Sequence, residues 1–453
     1  MRRLDVSAAA IVALLVAPSG LELARSSVGG GKSLAYVRSL TEIGPRLTGS
    51  AAYQRAAEWS ADQFRAMGIG QVGLEPFTIE RGWERVSARA RIVAPAERPL
   101  HLASLGWSPS TPEGGFEAEV AALVAFSPDA LPARGALQGR IVLLPDGDPP
   151  GNFMTAARTR LALAAALRAA GARAILSADS DPDNQLSARG YTFSTAIVAL
   201  PAAQIGRDDA ESIRRSLARG AVRMSLELNN RITPDAAIVN NVIAEIPGRE
   251  RPDEWILVGA HLDSWDFGTG AQDNATGVAM VLEAARAIAA LGQAPRRSIR
   301  FALWGGEEQG QLGSTAYAGG HAAELDRLAA MLNSDAGTGR TIGWTAPGRA
   351  DLIRAVRPLT QDFLRELDAA TFDESLRYAF QSDGAPFILA GIPTLDLNAD
   401  DTKYEDIHHK AADTIDRVDA RNLSVGAAMV AATAYAIADA PVRMPPRLRR
   451  KGE

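Results

Sequence analysis

The chain has 453 residues, 47% of them apolar and 22% charged, a length beyond one ordinary core and a composition that excludes a disordered or fibrous protein. Its formal net charge of −5 offers no electrostatic footprint for a phosphate backbone, so no nucleic acid partner is expected; only the tail Arg447, Arg449, Arg450, Lys451 is locally basic. The absence of cysteine excludes thiol nucleophiles, thiolate metal sites and disulfides together, so any metal must be held by histidine and carboxylate.

At the N-terminus, Arg2 and Arg3 precede an apolar run from Val6 to Ala17 that ends at Pro18, Ser19 and Gly20. That run is too short to cross a bilayer and has the length of an export signal. Residues 1–27 are therefore predicted to be a signal peptide, and the mature protein is expected to be secreted or periplasmic, with no stable membrane span. Gly31-Lys32-Ser33 is not a phosphate loop, because Ser26 stands where that pattern requires its first glycine.

From Lys32 a helix is expected with Leu34, Val37 and Leu40 as apolar positions, then the turn Gly44 to Ser50. A second helix should run from Ala51 to Met67 on a stripe of Ala56, Ala57, Ala61 and Phe64. Residues 28–84 are read as one part of a larger domain. Residues 85–230 change texture: β-like runs Val120 to Phe126, Ile141 to Leu144 and Ala172 to Ser177 surround one alanine-rich helix, Thr155 to Ala170. This block carries a single histidine, His101, and is expected to be accessory. In residues 231–443, Asn241 to Ile246, Trp255 to Ala260, Ser298 to Trp304, Leu328 to Leu332 and Thr394 to Leu397 read as strands. They alternate with helical stretches such as Asn274 to Leu291. Such alternation predicts an α/β fold with helices on both faces of the sheet and a site outside the carboxyl ends of its strands. Residues 444–453 are a basic tail.

The polar residues gather at those ends. His261-Leu262-Asp263 follows a strand directly, and the period of two lets Asp263 turn back on the His261 ring and set its tautomer. Asp273 opens a helix, where it would be an N-cap if it stood alone. Glu307 and Glu308 follow strand Ser298 to Trp304, and adjacent side chains there diverge, so one can bind metal while the other acts as a base. Asp335 follows strand Leu328 to Leu332, and His408-His409 precedes Asp413-Thr414. Histidine and carboxylate without sulfur suit zinc, and a shared aspartate with two further ligands per ion suits a paired site. Two divalent ions would outweigh the ligand carboxylates in charge and acidify a water for attack on an amide carbonyl.

These residues resemble the co-catalytic di-zinc aminopeptidase and carboxypeptidase family of metallopeptidases, and within it the carboxypeptidase Q branch. The resemblance rests on Gly259-Ala260-His261-Leu262-Asp263-Ser264-Trp265-Asp266, Leu303-Trp304 leading to Glu307-Glu308-Gln309-Gly310, Ser334-Asp335-Ala336-Gly337-Thr338, and His408-His409 ahead of Asp413-Thr414. Gly44 to Ser50 and Leu74-Glu75-Pro76 match as well. The resemblance implies a mixed central sheet sandwiched by helices, with a protease-associated-like domain inserted at residues 85–230. It further implies two zinc ions bridged by Asp273, one completed by Glu308 and His409 and the other by His261 and Asp335. Glu307 becomes the general base, with Asp263 assisting, and the bond from Asp273 to Asn274 is expected to be cis. The expected activity is that of an exported exopeptidase on dipeptides or short peptides, with a homodimer among the expected assemblies. A broad aminopeptidase and a one-zinc, glutaminyl-cyclase-like acyl-transfer enzyme are the alternatives.

Two departures qualify the resemblance. Asn274 stands where that branch tends to carry aspartate, and the segment Asp400 to Ile407 diverges except at Lys403-Tyr404. Ser382 and Asp383 resemble the substrate-side loop, and Tyr404 is a candidate donor to the tetrahedral oxyanion. His101 and His321 are expected to be structural, and His408 to back the ligand beside it.

Overall fold

The computed structural model describes residues 20–449 apart from 134 and 401; the apolar run Val6 to Ala17 lies outside the described residues. In chain order, helices α1 (Gly20–Gly30), α2 (Ser33–Ile43) and α3 (Ala51–Ala66) lead to strand β1 (Gln71–Ile79). Strands β2 (Trp83–Ala94), β3 (Arg98–Pro99), β4 (Leu102–Ser104), β5 (Phe116–Ala122) and β6 (Ile141–Leu143) follow. Helix α4 (Phe153–Ala169), β7 (Ala174–Ala178), β8 (Ala202–Ile205), α5 (Arg207–Leu217) and β9 (Arg223–Ile232) complete this stretch. The chain then forms β10 (Ala237–Ile246), β11 (Arg251–His261), α6 (Thr276–Ala289), β12 (Arg297–Trp304), α7 (Leu312–Gly320) and β13 (Leu328–Asn333). It ends with β14 (Thr341–Thr345), α8 (Ala350–Glu366), β15 (Thr371–Asp373), α9 (Ala385–Leu389), β16 (Thr394–Ala399) and α10 (Ala420–Asp439).

These strands make two eight-stranded sheets, ordered β1-β10-β12-β11-β13-β16-β14-β15 and β3-β2-β9-β5-β6-β7-β8-β4. The second sheet is thus inserted between β1 and β10 of the first. In the first, β12, β11, β13 and β16 are parallel neighbours, while β10 joins β12 antiparallel and β14 joins β16 antiparallel. The central sheet is mixed, and its connections diverge from β11 to β12 on one side and β13 on the other. Ligand-bearing loops collect at such a switch point.

The apolar run of β11 explains its place. Ile256, Val258 and Ala260 pack into one core with α6 and α10 residues such as Val278 and Val430. Trp255 and Leu257 point into a second core with Trp304, Tyr317 and Phe387. Both faces are apolar, so helices must cover both; each fully buried side chain of this size stabilises the fold by about 1.5–3 kcal/mol. Helix starts follow the caps: Ser50 accepts from the Tyr53 N–H at α3, Asn152 from Thr155 at α4, and Asp419 from Asn422 at α10.

Three boundaries differ from expectation. Helix α6 begins at Thr276, because Asp273 and Asn274 hold non-helical backbone angles on either side of a cis bond. The run Val120 to Phe126 is not one strand: pairing covers Phe116–Ala122, and Val124 beyond it is 92% exposed. Residues 20–27, read as part of the export signal, lie in α1, where Leu23, Ala24 and Ser27 are buried and Arg25 pairs with Glu366 of α8 at 2.6 Å. Residues 20–27 are therefore part of the packed fold. Among the described residues no helix is long and apolar enough to cross a membrane.

Candidate metal centre

The parallel strands deliver their carboxyl ends to one place. His261 is the last residue of β11, Glu307 and Glu308 follow β12, and Asp335 follows β13. Asp273 enters from the segment before α6, and His409 from the loop after β16. Asp273 divides its two oxygens. Oδ1 lies 3.1 Å from His261 Nε2, which is itself 3.4 Å from Asp335 Oδ1. Oδ2 lies 3.4 Å from His409 Nε2, which is 3.0 Å from Glu308 Oε2. The five ligand candidates and the base candidate are therefore brought together, in two groups sharing one carboxylate.

The charge of the site calls for cations. Asp263, Asp273, Glu308, Asp383 and Asp413 are all buried, and the fully buried guanidinium of Arg46 lies near them. Burial and then neighbouring carboxylates push Glu308 well above the usual carboxylate range, with Asp273 foremost among those neighbours. Burial likewise raises Glu307, reinforced by Asp335, Asp383 and Glu308 against His261. Glu308 Oε1 is buried without any hydrogen-bond partner. Carboxylates with imidazole nitrogens and an orphaned oxygen form a donor set suited to a divalent metal such as zinc.

The scaffolding departs from expectation at Asp263. Its carboxylate does not fix the His261 tautomer: Oδ1 is 3.7 Å from Nδ1, beyond a hydrogen bond, and the backbone carbonyl of Asp263 faces Nδ1 at 3.1 Å. The carboxylate is turned to other donors, accepting from the Thr48 hydroxyl at 2.7 Å and from the backbone N–H groups of Glu307 at 3.2 Å and Glu308 at 3.3 Å. Asp263 thus ties the β11 loop to the acidic turn after β12. Asp413 does the same for Asp273, accepting from the N–H groups of Gln272 at 2.6 Å and Asp273 at 3.3 Å; burial and the Asp273 charge raise its own pKa to about 7.

Sequence reasoning missed Arg46, the organiser of the turn Gly44 to Ser50. Fully buried, it donates to the carbonyls of Leu262, Thr269 and Gly270 at 2.8, 2.9 and 2.7 Å, fastening the loop between His261 and Asp273. The clue was a charged residue inside a Gly-Pro turn beside apolar Leu47. Asn274 is also explained: its Nδ2 donates to the Ser334 carbonyl and its Oδ1 accepts from the Gly277 N–H, each at 2.9 Å. An ionised aspartate could not make the first bond.

The substrate-side candidates separate. Ser382 Oγ accepts from Asn333 Nδ2 at 2.9 Å at the end of β13. Asp383 is fully buried, with Oδ1 taken by the Ser314 hydroxyl and its pKa raised to about 7 by burial. It has no face toward solvent, which removes it from direct substrate contact. Tyr404 stacks on His408, and burial, then the Asp273 and Asp335 charges, raises its phenol well above the usual value, so it stays a donor. His408 lies 3.7 Å from Asp273 Oδ2 and against the His409 ring, backing the second group. His101 faces the Asn184 carbonyl, and His321 stacks on Tyr317 beside Glu75, both away from the centre.

Comparisons with known proteins converge on one family. Residues 241–434 match the profile of peptidase family M28. Carboxypeptidase Q of Bos taurus is 32% identical over 407 residues, covering 89% of this chain and 84% of its own. The Homo sapiens carboxypeptidase Q is 31% identical with the same coverage. A crystal structure of a peptidase M28 precursor from Shewanella amazonensis superposes with a TM-score of 0.79 at 30% identity, covering 95% of this chain and 98% of that one. The zinc aminopeptidase BSAP of Bacillus subtilis shares the fold with a TM-score of 0.69 at 22% identity, over 89% of this chain and 93% of its own.

Proposed function

Because the chain belongs to peptidase family M28 and is a zinc metallopeptidase, we propose that it is an exported di-zinc exopeptidase that cleaves dipeptides or short peptides. The observation that carries the reading is the division of Asp273, one oxygen in each of two histidine–carboxylate groups. In this reading His261 and Asp335 would hold one ion and Glu308 and His409 the other, with Asp273 available to both. When bound, the ions supply Lewis acidity at the scissile carbonyl, acidify the attacking water and keep the surrounding carboxylates ionised.

Glu307 is half-buried beside Glu308, and its backbone is anchored by Asp263. It takes the proton of the attacking water and returns it to the departing amine. Tyr404, held in its protonated form, donates to the oxyanion of the tetrahedral intermediate, and Ser382 orients the substrate from the end of β13. The second sheet corresponds to the protease-associated-like unit. Export rests on Arg2, Arg3 and the apolar run to Ala17.

The reading is tested by hydrolysis of free, N-blocked and C-amidated dipeptides, each with and without chelator. Cleavage of unblocked dipeptides alone, abolished by chelator, is expected. Cleavage of amidated but not N-blocked peptides would make the protein an aminopeptidase. Failure on every substrate, with one zinc per chain, would favour acyl transfer.

A further inference from the structure

The two ligand groups are not built alike. His261 is the last residue of β11 and Asp335 lies two residues past β13, whereas His409 lies on a longer loop and has a φ of 58°. L side chains adopt that left-handed region only where surroundings impose it. On the catalytic side the loop is tied by Asp413, whose N–H donates to the Lys410 carbonyl at 3.0 Å. The Thr269 N–H donates to the Asp413 carbonyl at 2.8 Å, and within the loop the N–H groups of His408 and Lys410 donate to the Tyr404 and Ile407 carbonyls at 2.9 Å each; further restraints come from the second sheet.

There, β7 ends at Ala178 and the chain turns through Asp179 to Ala188. The Ala188 N–H donates to the His409 carbonyl at 2.7 Å. Asp181 Oδ1 lies 3.0 Å from Lys410 Nζ, with the two side chains only 19% and 12% exposed. The same Nζ donates to the Glu405 carbonyl at 2.6 Å, closing the loop on itself. The turn is stiffened from within, because Asp179 accepts from the N–H groups of Asp181 and Ser187 and the Ser187 hydroxyl donates to Asp181. Trp265 adds a second path, set edge-on to both His409 and Trp107 of the second sheet's loops at 6.1 and 6.3 Å between ring centroids. Lysine is also the rarer choice here: four of 48 basic residues are lysine. One compact ammonium can serve a carbonyl and a carboxylate in different directions within a nearly closed space, which a planar guanidinium fits less well.

We propose that Asp181 and Lys410 form a clamp by which the inserted sheet holds the His409 loop, making them positioning residues for the ion bound by Glu308 and His409 and not for its neighbour. The inference rests on the paired-ion reading above. Loss of such supporting contacts lowers metal affinity by about 10- to 100-fold.

The test is stepwise zinc affinity of the full-length mature chain, by competition with a chromogenic chelator and elemental analysis, for wild type, Asp181→Asn, Lys410→Met and the double variant. Thermal melting checks folding, and Arg214→Ala, which removes bonds to the Leu144 carbonyl and Asp146 in the second sheet and touches neither the Asp179–Ala188 turn nor the His409 loop, serves as a control for general destabilisation. One of two zinc steps should weaken by about 10- to 100-fold in each single variant with the other unmoved. The double variant should be no worse than the poorer single, since both remove one interaction. Wild type binding two ions, with neither step altered in either variant, would overturn the clamp. So would both steps weakening in parallel with a fall in melting temperature that Arg214→Ala reproduces. Wild type binding a single zinc would overturn the paired-ion reading itself.

Discussion

The two candidate ligand groups that share Asp273 contrast in how they are supported. His261 and Asp335 extend directly from β11 and β13, whose hydrogen-bonded register and packed faces hold them in place. Glu308 and His409 sit on turns, and their geometry depends on contacts made far away in sequence: Asp263 to the Glu308 N–H, Ala188 to the His409 carbonyl, Asp181 to Lys410. One group is positioned by secondary structure, the other by tertiary agreement between two sheets. A paired site can therefore be rigid on one side and adjustable on the other.

The contrast would be broken most directly at the shared ligand. Asp273→Ala should lose both ions and all hydrolysis, whereas His261→Ala and His409→Ala should each retain one zinc by elemental analysis. A tight single zinc surviving in Asp273→Ala would show that the groups do not share it. Next in size, Glu307→Gln should keep the wild-type zinc content while turnover falls by about 100- to 10,000-fold, since the ligands remain and the proton acceptor is gone. Full turnover in that variant would remove Glu307 from the chemistry.

The smallest effect is one of stability and concerns the second sheet. Burial alone would raise Asp209, but the His101 N–H, Asn184 and Arg98 outweigh it and hold the carboxyl below its usual value. A depressed pKa lends stability above the unfolded value of about 3.9 and withdraws it as pH falls through the folded value. Asp209→Asn should therefore be less stable at neutral pH and show a shallower acid limb in urea titrations, with zinc content unchanged. An unaltered acid limb would mean that Asp209 contributes nothing to it.

Much of the central sheet could be read directly. The apolar runs of β11, β12 and β13 are long, bounded by turn residues and followed at once by His261, Glu307, Glu308 and Asp335, so strand and ligand announce each other. The resemblance supplied the pairing of those ligands. Less legible was the second sheet, where strands such as β2, with Arg85, Arg89 and Arg91, carry polar residues that hide the period of two. The edge strand β15 has only three residues, and Gly343 interrupts the apolar pattern of β14.

What the chain determined by itself was therefore the chemistry: which side chains stand at which strand ends, and that sulfur has no part in it. Local sequence suffices there because periodicity and turn residues act over a few positions. Only the tertiary structure decided how those side chains are held. Arg46 reaches three carbonyls more than 200 positions away, and Asp263 serves backbone N–H groups and not the imidazole. The turn at Asp181 meets Lys410 across two sheets. These are hydrogen bonds between groups distant in sequence, whose geometry exists only once both sheets have packed.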